Sequence, residues 1–280
     1  MSLFKHAGWI WLVLILADRA ASAEGFVLGA GVEGDSADGR AYSVFGDFGL
    51  RENTWLSLTA SSVDTEGIIA DNRSLLGELA LDVWFDPVGL RVGVGYWGNS
   101  DILDSRDLKA SAYMRNNFGS LALDYEWRDF EFDLQSAPLR GRTATFSANG
   151  WGISSRLRLG ERVSVFVGGM KYAYSRNLRI QQDVDTLTYI SRSRLSMINN
   201  LLDHRFDIGA QYDVGLRSFD VTAGQWQTAI DGSTVDSFSI GFLTPASNRV
   251  DIEFRLSYDD SEVYGNTTAL SFYLYYFGGS

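Results

Sequence analysis

Period-two alternation of apolar and polar residues is the feature that most constrains the fold of this chain. In residues 206–214 every second side chain is apolar, namely Phe206, Ile208, Ala210, Tyr212 and Val214. The pattern returns at 219–224, 237–242 and 250–258, and short turns separate these segments. Alternation puts successive side chains on opposite faces of a strand. Four such strands joined by short turns predict an antiparallel meander.

The same alternation extends along the chain and predicts about fourteen strands. They span 26–33, 42–50, 56–61, 78–85, 90–97, 108–115, 121–134, 142–159, 163–174, 206–214, 219–224, 237–242, 250–258 and 268–277. Connections after even-numbered strands are tight, and those after odd-numbered strands are mostly longer and more polar. An even strand number with short turns at one end is typical of outer-membrane barrels. The sequence predicts an all-β, transmembrane, antiparallel up-and-down barrel of about fourteen strands, with twelve or sixteen as alternatives.

Two strands contain a change of phase. In strand seven the apolar positions shift at Asp129, after which Phe130 and Phe132 follow. Strand eight shows a similar slip near Gly150. A β-bulge inserts one residue and shifts the alternation, so bulges are predicted at these places.

The first residues have the organisation of a secretory signal peptide. Lys5 and His6 precede an apolar run at 7–17, which is too short to span a bilayer as a helix. Ala21, Ser22 and Ala23 follow as a small-x-small cleavage site. The prediction is a signal peptide at 1–23 and a single barrel domain at 24–280, exported to the bacterial outer membrane and cleaved near Ala23/Glu24. The alternative is a buried N-terminal helix.

Composition narrows the class of protein further. The chain has no cysteine, which excludes a lipid-anchored lipoprotein and disulfide staples. Removal of Lys5, Arg19 and Asp18 with the signal leaves 22 basic and 34 acidic groups, a net charge of −12. Nucleic-acid binding needs a basic surface, so no nucleic-acid partner is predicted.

Three features favour a membrane over water around the apolar face. The segments are about ten residues long, as tilted transmembrane strands are. Aromatic residues gather near strand ends, as in interfacial girdles; they are Tyr42, Phe48, Phe85, Tyr96, Trp127, Tyr212 and Tyr258. A ring of about fourteen strands is too wide for side chains to fill, so a polar interior is expected. A secreted β-sandwich or solenoid is the alternative.

In this architecture the chain resembles the broad class of Gram-negative outer-membrane β-barrels, porin-like proteins included. The aromatic strand at 269–277 is similar to the C-terminal strand that such proteins present for assembly, although here Gly278, Gly279 and Ser280 follow it. The resemblance implies barrel-assembly machinery as a partner during insertion. It also implies contact with outer-membrane lipid and lipopolysaccharide.

The polar face of the predicted strands carries many charges. The candidate lumen-lining residues are Glu78, Asp82, Arg91, Lys109, Arg115, Asp124, Glu126, Arg128, Arg156, Arg158, Arg205, Asp207, Asp251, Glu253 and Arg255. Glu33, Asp47, Asp213 and Asp220 share this face. Two interpretations stay open: charges that select solutes in a water-filled passage, and cross-strand ion pairs that stiffen the wall. The signs are mixed, so no strong ion selectivity is predicted.

The sequence offers little for catalysis. The only histidine after the signal, His204, follows Asp203 and shares the face of Phe206, which is predicted to point outward. Outer-membrane hydrolases generally depend on a histidine, but their partner positions hold Leu202 and Phe206 here. Without cysteine, one histidine and scattered aspartates do not form a transition-metal site. We therefore predict no catalytic residues, no cofactor and no metal.

Two groups of loop residues have open interpretations. Residues 175–200 form either a constriction folded inward or a hairpin extending strands nine and ten, and the sequence favours the hairpin. The longer loops are acidic, through Asp64, Glu66, Asp71, Asp101, Asp104, Asp107, Asp259, Asp260 and Glu262. These carboxylates either form a solvated rim, which we favour, or bind divalent cations that bridge lipopolysaccharide.

The function expected from these observations is a channel for small hydrophilic solutes. The second hypothesis is a closed barrel that anchors a surface or secretion assembly, its lumen filled by ion pairs and by Trp84, Trp97, Tyr113, Tyr273 and Tyr275. The third is an outer-membrane hydrolase that uses His204.

Overall fold

A computed structural model describes residues 25–65, 72–99, 103–134, 142–176, 201–263 and 265–279. They form fourteen strands: β1 (Phe26–Asp35), β2 (Arg40–Arg51), β3 (Thr54–Thr65), β4 (Asn72–Phe85), β5 (Val88–Asn99), β6 (Leu103–Asn116), β7 (Gly119–Leu134), β8 (Arg142–Leu159), β9 (Val163–Tyr174), β10 (Leu202–Val214), β11 (Arg217–Thr228), β12 (Thr234–Ser247), β13 (Val250–Asp260) and β14 (Thr267–Gly278). In the described part of the chain, no helix has the length and apolarity needed to cross a membrane.

Each strand pairs antiparallel with its neighbours in sequence, and the sheet closes on itself. The closing pair joins β1 to β14 in unbroken register, from Phe26 opposite Gly278 to Asp35 opposite Ala269. The predicted fold class and the strand number of fourteen are confirmed. Closure pairs the backbone groups of both terminal strands and leaves no sheet edge. The short turns after the even-numbered strands and both ends of the barrel chain lie at one end, here called the turn side; the other end is the loop side.

The two faces of the barrel differ in chemistry. Large apolar side chains cover the outer face, where Val44, Leu123 and Leu270 are 51%, 61% and 61% exposed. Their partners on adjacent strands are also apolar or small, as with Val44 between Ala30 and Ala60. The inner face carries the charged residues and many glycines. This inverts the arrangement of a water-soluble sandwich, in which apolar side chains are buried between sheets.

The bulges predicted at Asp129 and near Gly150 are wrong. Strand β7 pairs with β6 and with β8 without any shift of register. Phe130 therefore stays on the inner face with Arg128, and the apparent change of phase is a change of composition. Toward the loop side the inner face turns from charged to apolar. The register of β10 against β11 does shift, between Leu202 and His204.

An apolar cluster fills part of the interior at the loop side. Its buried members, the loop-side cluster, are Trp97, Leu103, Phe130, Phe132, Phe146, Ala148, Tyr172, Leu201, Ala229 and Ile230. Most of them project inward from β5–β9. The connections before β10 and after β11 add the others, and the Ala229 amide donates a 2.8 Å hydrogen bond to the Leu201 carbonyl.

The acidic residues assigned to the loops divide into different environments. Asp107 and Asp259 are not part of a solvated rim, because Asp259 is buried on the inner face and the side chain of Asp107, on the same face, is only 8% exposed. Asp64 is half-buried and forms an ion pair with the exposed Arg73, and Asp104 accepts a 2.7 Å hydrogen bond from the Tyr96 hydroxyl. Glu66, Asp71, Asp101 and residues 177–200 lie outside the described residues, so the hairpin predicted there is not assessed.

Candidate functional site

Strand register places the fifteen candidate lumen residues on one face of the sheet. One row of paired positions runs from Asp82 through Arg91 to Ser111 and Asp124, and on through Gly152 and Met170 to Arg205. A second row joins Arg158 through Gln211 and Asp220 to Arg255. Because inward positions alternate with outward ones, all members of these rows share the interior.

A cavity of about 640 Å³ lies against the inner face of β4–β10. Nine of the fifteen candidates line it: Glu78, Arg91, Lys109, Asp124, Glu126, Arg128, Arg156, Arg205 and Asp207. The other six, Asp82, Arg115, Arg158, Asp251, Glu253 and Arg255, do not line it. The candidates therefore belong to several separate groups within the barrel.

A network of ion pairs crosses the cavity wall on β4, β6 and β7. Lys109 Nζ lies 2.5 Å from Glu78 Oε2 and 4.0 Å from Glu126 Oε1. Arg128 Nε lies 3.2 Å from Asp107 Oδ1 and 4.0 Å from Glu126 Oε1. The Tyr172 hydroxyl donates a 2.6 Å hydrogen bond to Glu126 Oε2.

Arg128 is the most buried cation of this network, at 6% exposure. Its guanidinium lies 4.8 Å from the centre of the Phe130 ring, at the boundary with the loop-side cluster. A buried charge requires ionic partners because transfer from water is costly. Asp107 and Glu126 supply them, and Asp107 itself accepts a hydrogen bond from the Ser105 hydroxyl.

Three guanidiniums at the cavity have a different environment. Arg91, Arg156 and Arg205 form no ion pair with any carboxylate of the described residues. Arg156 donates a 2.7 Å hydrogen bond to Gln211 Oε1 and lies 5.1 Å from the centre of the Phe166 ring. The cavity therefore contains guanidiniums that no carboxylate of the described residues pairs with.

The opposite wall, on β11–β14, carries its own ion pairs. Arg255 donates to both carboxylate oxygens of Asp220, at 2.9 and 3.1 Å, and to Glu253 Oε1 at 3.0 Å. The Tyr275 hydroxyl donates a 2.6 Å hydrogen bond to Glu253 Oε2. The bidentate geometry fixes Arg255 against the wall.

A third group lies near the turn side. The Arg115 guanidinium is 4.3 Å from the centre of the Trp84 ring, which stacks on Tyr113 at 5.8 Å. The Tyr113 hydroxyl donates a hydrogen bond to Asp82. Cation–π and hydrogen-bond contacts hold these four side chains together on the inner wall.

Sequence reasoning missed several interior residues. The sequence pattern places Asp107 in a loop, and it places Phe130 and Phe132 in a shifted phase after a bulge at Asp129. The signal that could have found them is residue parity along the strand. In β7 the even-numbered residues from 122 to 132 all lie on the inner face, whether they are polar or apolar. An apolar residue in the inward phase therefore indicates a patch of the interior.

His204 lies on the outer face, opposite Lys171 on β9 and Gln227 on β11. Its Nδ1 is 2.9 Å from Asp203 Oδ2. This position separates His204 from the charged interior. Within the described residues, no group of three or more histidine, aspartate or glutamate side chains is placed to hold a metal ion.

The fold defines a closed, fourteen-stranded antiparallel barrel with an apolar outside and a charged inside. No family model and no curated protein sequence matches the chain. Its solved neighbours include the monoaromatic hydrocarbon channel CymD, with a TM-score of 0.58 and 11% identity over 94% of this chain and 91% of that one. Another is a bacterial polysaccharide outer membrane secretin, with a TM-score of 0.53 and 9% identity over 90% and 97%. At these identities the likeness is one of fold.

Proposed function

We propose that this protein is a channel of the bacterial outer membrane that conducts small hydrophilic solutes. The observation that carries the proposal is the closed ring whose outer face is apolar and whose charged inner face borders a cavity of about 640 Å³. The apolar outer belt suits lipid, and the closed ring pairs neighbouring strands all the way round, so no open sheet edge faces the membrane. A hydrated, charged interior suits the passage of polar solutes.

The charges that we propose as the lumen lining have two roles. Lys109, Arg128 and Arg255 are engaged in ion pairs and stiffen the wall. Arg91, Arg156 and Arg205 have no such partner among the described residues and face the cavity. One fold neighbour, the polysaccharide secretin, is an outer membrane protein, which supports an outer-membrane location for this chain.

One observation favours a second candidate, a closed barrel that anchors a surface or secretion assembly. The loop-side cluster buries ten residues inside one end of the barrel, as a packed core would. Aromatic rings also cover inner glycines, with Phe45 over Gly29 and Tyr273 over Gly31. Both features reduce the free cross-section.

Single-channel recording of the purified protein in a planar bilayer separates the two functions. The channel predicts stable, discrete conductance steps in KCl. The anchoring barrel predicts a silent bilayer although the protein migrates as a folded, heat-modifiable species on an unboiled gel. A silent bilayer with folded protein would overturn the channel function.

A substitution within the loop-side cluster provides a control. Ile230→Ser replaces one buried apolar side chain of the cluster, and it lies in the connection between β11 and β12, so no strand residue is changed. In a channel this change raises the conductance or the open time. In an anchoring barrel it leaves the bilayer silent.

A further inference from the structure

We propose that the cavity binds a small aromatic carboxylate, with the carboxylate on Arg205 and the ring against the apolar side chains at the loop side. This inference rests on the proposed channel function, because it specifies which class of solute the same interior binds. It combines two features that meet in one cavity, a guanidinium without an ion pair and a set of apolar and aromatic side chains.

Arg205 is the guanidinium best placed for a ligand. It projects inward from β10 between Met170 on β9 and Trp226 on β11, its register partners, and it is exposed. Arg156 is already held by Gln211 and Phe166, whereas Arg205 has no hydrogen bond or ion pair with the described residues. A planar guanidinium binds a carboxylate through two parallel hydrogen bonds, which makes it selective for this group.

The charge of the cavity is compatible with an anion. Lys109 and Arg128 are committed to Glu78, Asp107 and Glu126. The remaining charged lining residues are Arg91, Arg156, Arg205, Asp124 and Asp207. Counted with the ion-paired network, the lining holds five cations and five carboxylates and has no net charge. A ligand carboxylate is therefore held by local contact with Arg205, which has no ion pair, and not by an overall positive charge.

The apolar part of the cavity accommodates a ring. Leu76, Trp97, Met170, Tyr172 and Leu202 line it near the loop side. The register shift in β10 brings Leu202 opposite the inward Thr228, so Leu202 joins this inner set. Aromatic and thioether side chains favour contact with an aromatic ring. Because Met170 is both a lining residue and the register partner of Arg205, ring and carboxylate contacts lie side by side.

The size also fits a small ligand. A volume of about 640 Å³ lies within the range of roughly 300–1,000 Å³ that small-molecule sites occupy. Such sites combine a mostly apolar lining with a few polar groups that fix the orientation of the ligand. The excess of charged lining groups here restricts the apolar contacts to one side of the cavity.

The test compares benzoate, acetate and benzamide on the purified protein in detergent by isothermal titration calorimetry. Acetate lacks the ring and benzamide lacks the charge. We expect benzoate to bind at least tenfold more tightly than either. Equal affinity for benzoate and acetate, or for benzoate and benzamide, would overturn the proposal without any variant.

Arg205→Gln tests the assigned cation, and Arg158→Gln is the matched control. Arg158 lies on the inner face of β8 but does not line the cavity. Arg205→Gln is expected to weaken benzoate binding tenfold or more, whereas Arg158→Gln leaves it within twofold. Heat-modifiable migration on gels establishes that both variants fold. An equal loss in both variants would remove Arg205 as the site.

Planar-bilayer recording separates this inference from the proposed function. Benzoate at the loop side should interrupt the current in a concentration-dependent way, and Arg205→Gln should abolish the interruptions. Steady conductance with no benzoate binding overturns the aromatic-acid site and leaves the channel. Benzoate binding by a folded protein that gives a silent bilayer overturns the channel and leaves the site.

Discussion

The hydroxyl of Tyr172 on β9 reaches across Gly150 on β8 to donate a 2.6 Å hydrogen bond to Glu126 on β7. Neighbouring strands are about 4.8 Å apart, so the tyrosine spans two strand spacings by lying over the glycine. Because Gly150 has no side chain, the Tyr172 ring fits over it, and the hydrogen bond to Glu126 connects the loop-side cluster to the ion-pair network. The row from Lys109 through Glu126 and Gly150 to Tyr172 is one continuous line of contacts on the inner wall.

Gly150→Ala is expected to destabilise the barrel. A Cβ atom at this position would lie 2.6 Å from Tyr172 Cε1 and 3.3 Å from Met170 Sδ. Tyr172 is buried and hydrogen-bonded, so it cannot move aside freely. Overpacking of this kind costs about 1–3 kcal/mol. A gel-shift series at increasing temperature should show unfolding at a lower temperature than in the wild type.

Gly77→Ala is the control for that change. Gly77 lies in β4, and no atom lies within 4 Å of a Cβ built there. Its unfolding temperature should equal or slightly exceed that of the wild type, because alanine has less freedom than glycine in the unfolded chain. If both variants unfold like the wild type, Gly150 is not a packing constraint.

Arginine substitution of two adjacent residues on β11 tests which face contacts lipid. Val221 lies on the outer face and is 45% exposed, whereas Thr222 points inward between Gly209 and Ser239. An arginine on the lipid face of a barrel costs roughly 2–4 kcal/mol near the bilayer midplane. Val221→Arg should reduce the folded fraction in lipid vesicles, measured by heat-modifiable migration. Thr222→Arg should fold normally, and the opposite order would reverse the assignment of the faces.

Arg255→Met is expected to lower the stability of the barrel. The change removes the hydrogen bonds to Asp220 and Glu253, and leaves two carboxylates facing each other without a cation. Hydrogen bonds to charged groups contribute about 1.5–3 kcal/mol each when net effects are measured. Thermal unfolding in detergent, followed by circular dichroism, should shift to lower temperature.

A second substitution distinguishes loss of pairing from loss of packing at Arg255. Asp220→Asn in the Arg255→Met background removes one of the two uncompensated charges, so it should recover part of the lost stability. Asp220→Asn alone should be destabilising, because Arg255 loses its bidentate partner. Additive effects of the two changes would show that the ion pair contributes nothing.

Processing at the predicted signal sequence gives a direct sequence-level test. N-terminal sequencing of protein purified from outer membranes should begin at Glu24. Ala23→Leu enlarges a position where the cleavage site requires a small residue. The variant should accumulate as a longer precursor in the inner membrane, whereas Ser22→Leu, between the two small positions, should be processed. A mature protein that retains Lys5 and His6 would contradict the prediction.

Local alternation of apolar and polar residues predicted most of the strands and the closed-barrel fold. The bounds predicted for β8 and β9 agree with the structure, because turns with glycine and charged residues bracket both strands. The fourteen strands were each long enough to show alternation by themselves. Errors arose where the interior changes character: Phe130 and Phe132 are apolar but inward, and the period of the apolar residues alone predicts a bulge before them.

The sequence by itself determined the strands, their order and the side of each strand that carries charge, because these follow from local periodicity and turn chemistry. Only the tertiary structure decided which charges pair. Asp107 meets Arg128 across neighbouring strands, whereas Arg255 meets Asp220 across two strand spacings. Strand register and closure set these distances, and both depend on backbone pairing between segments remote in sequence. For the same reason the loop-side cluster and the free guanidinium of Arg205 emerged only in the closed ring.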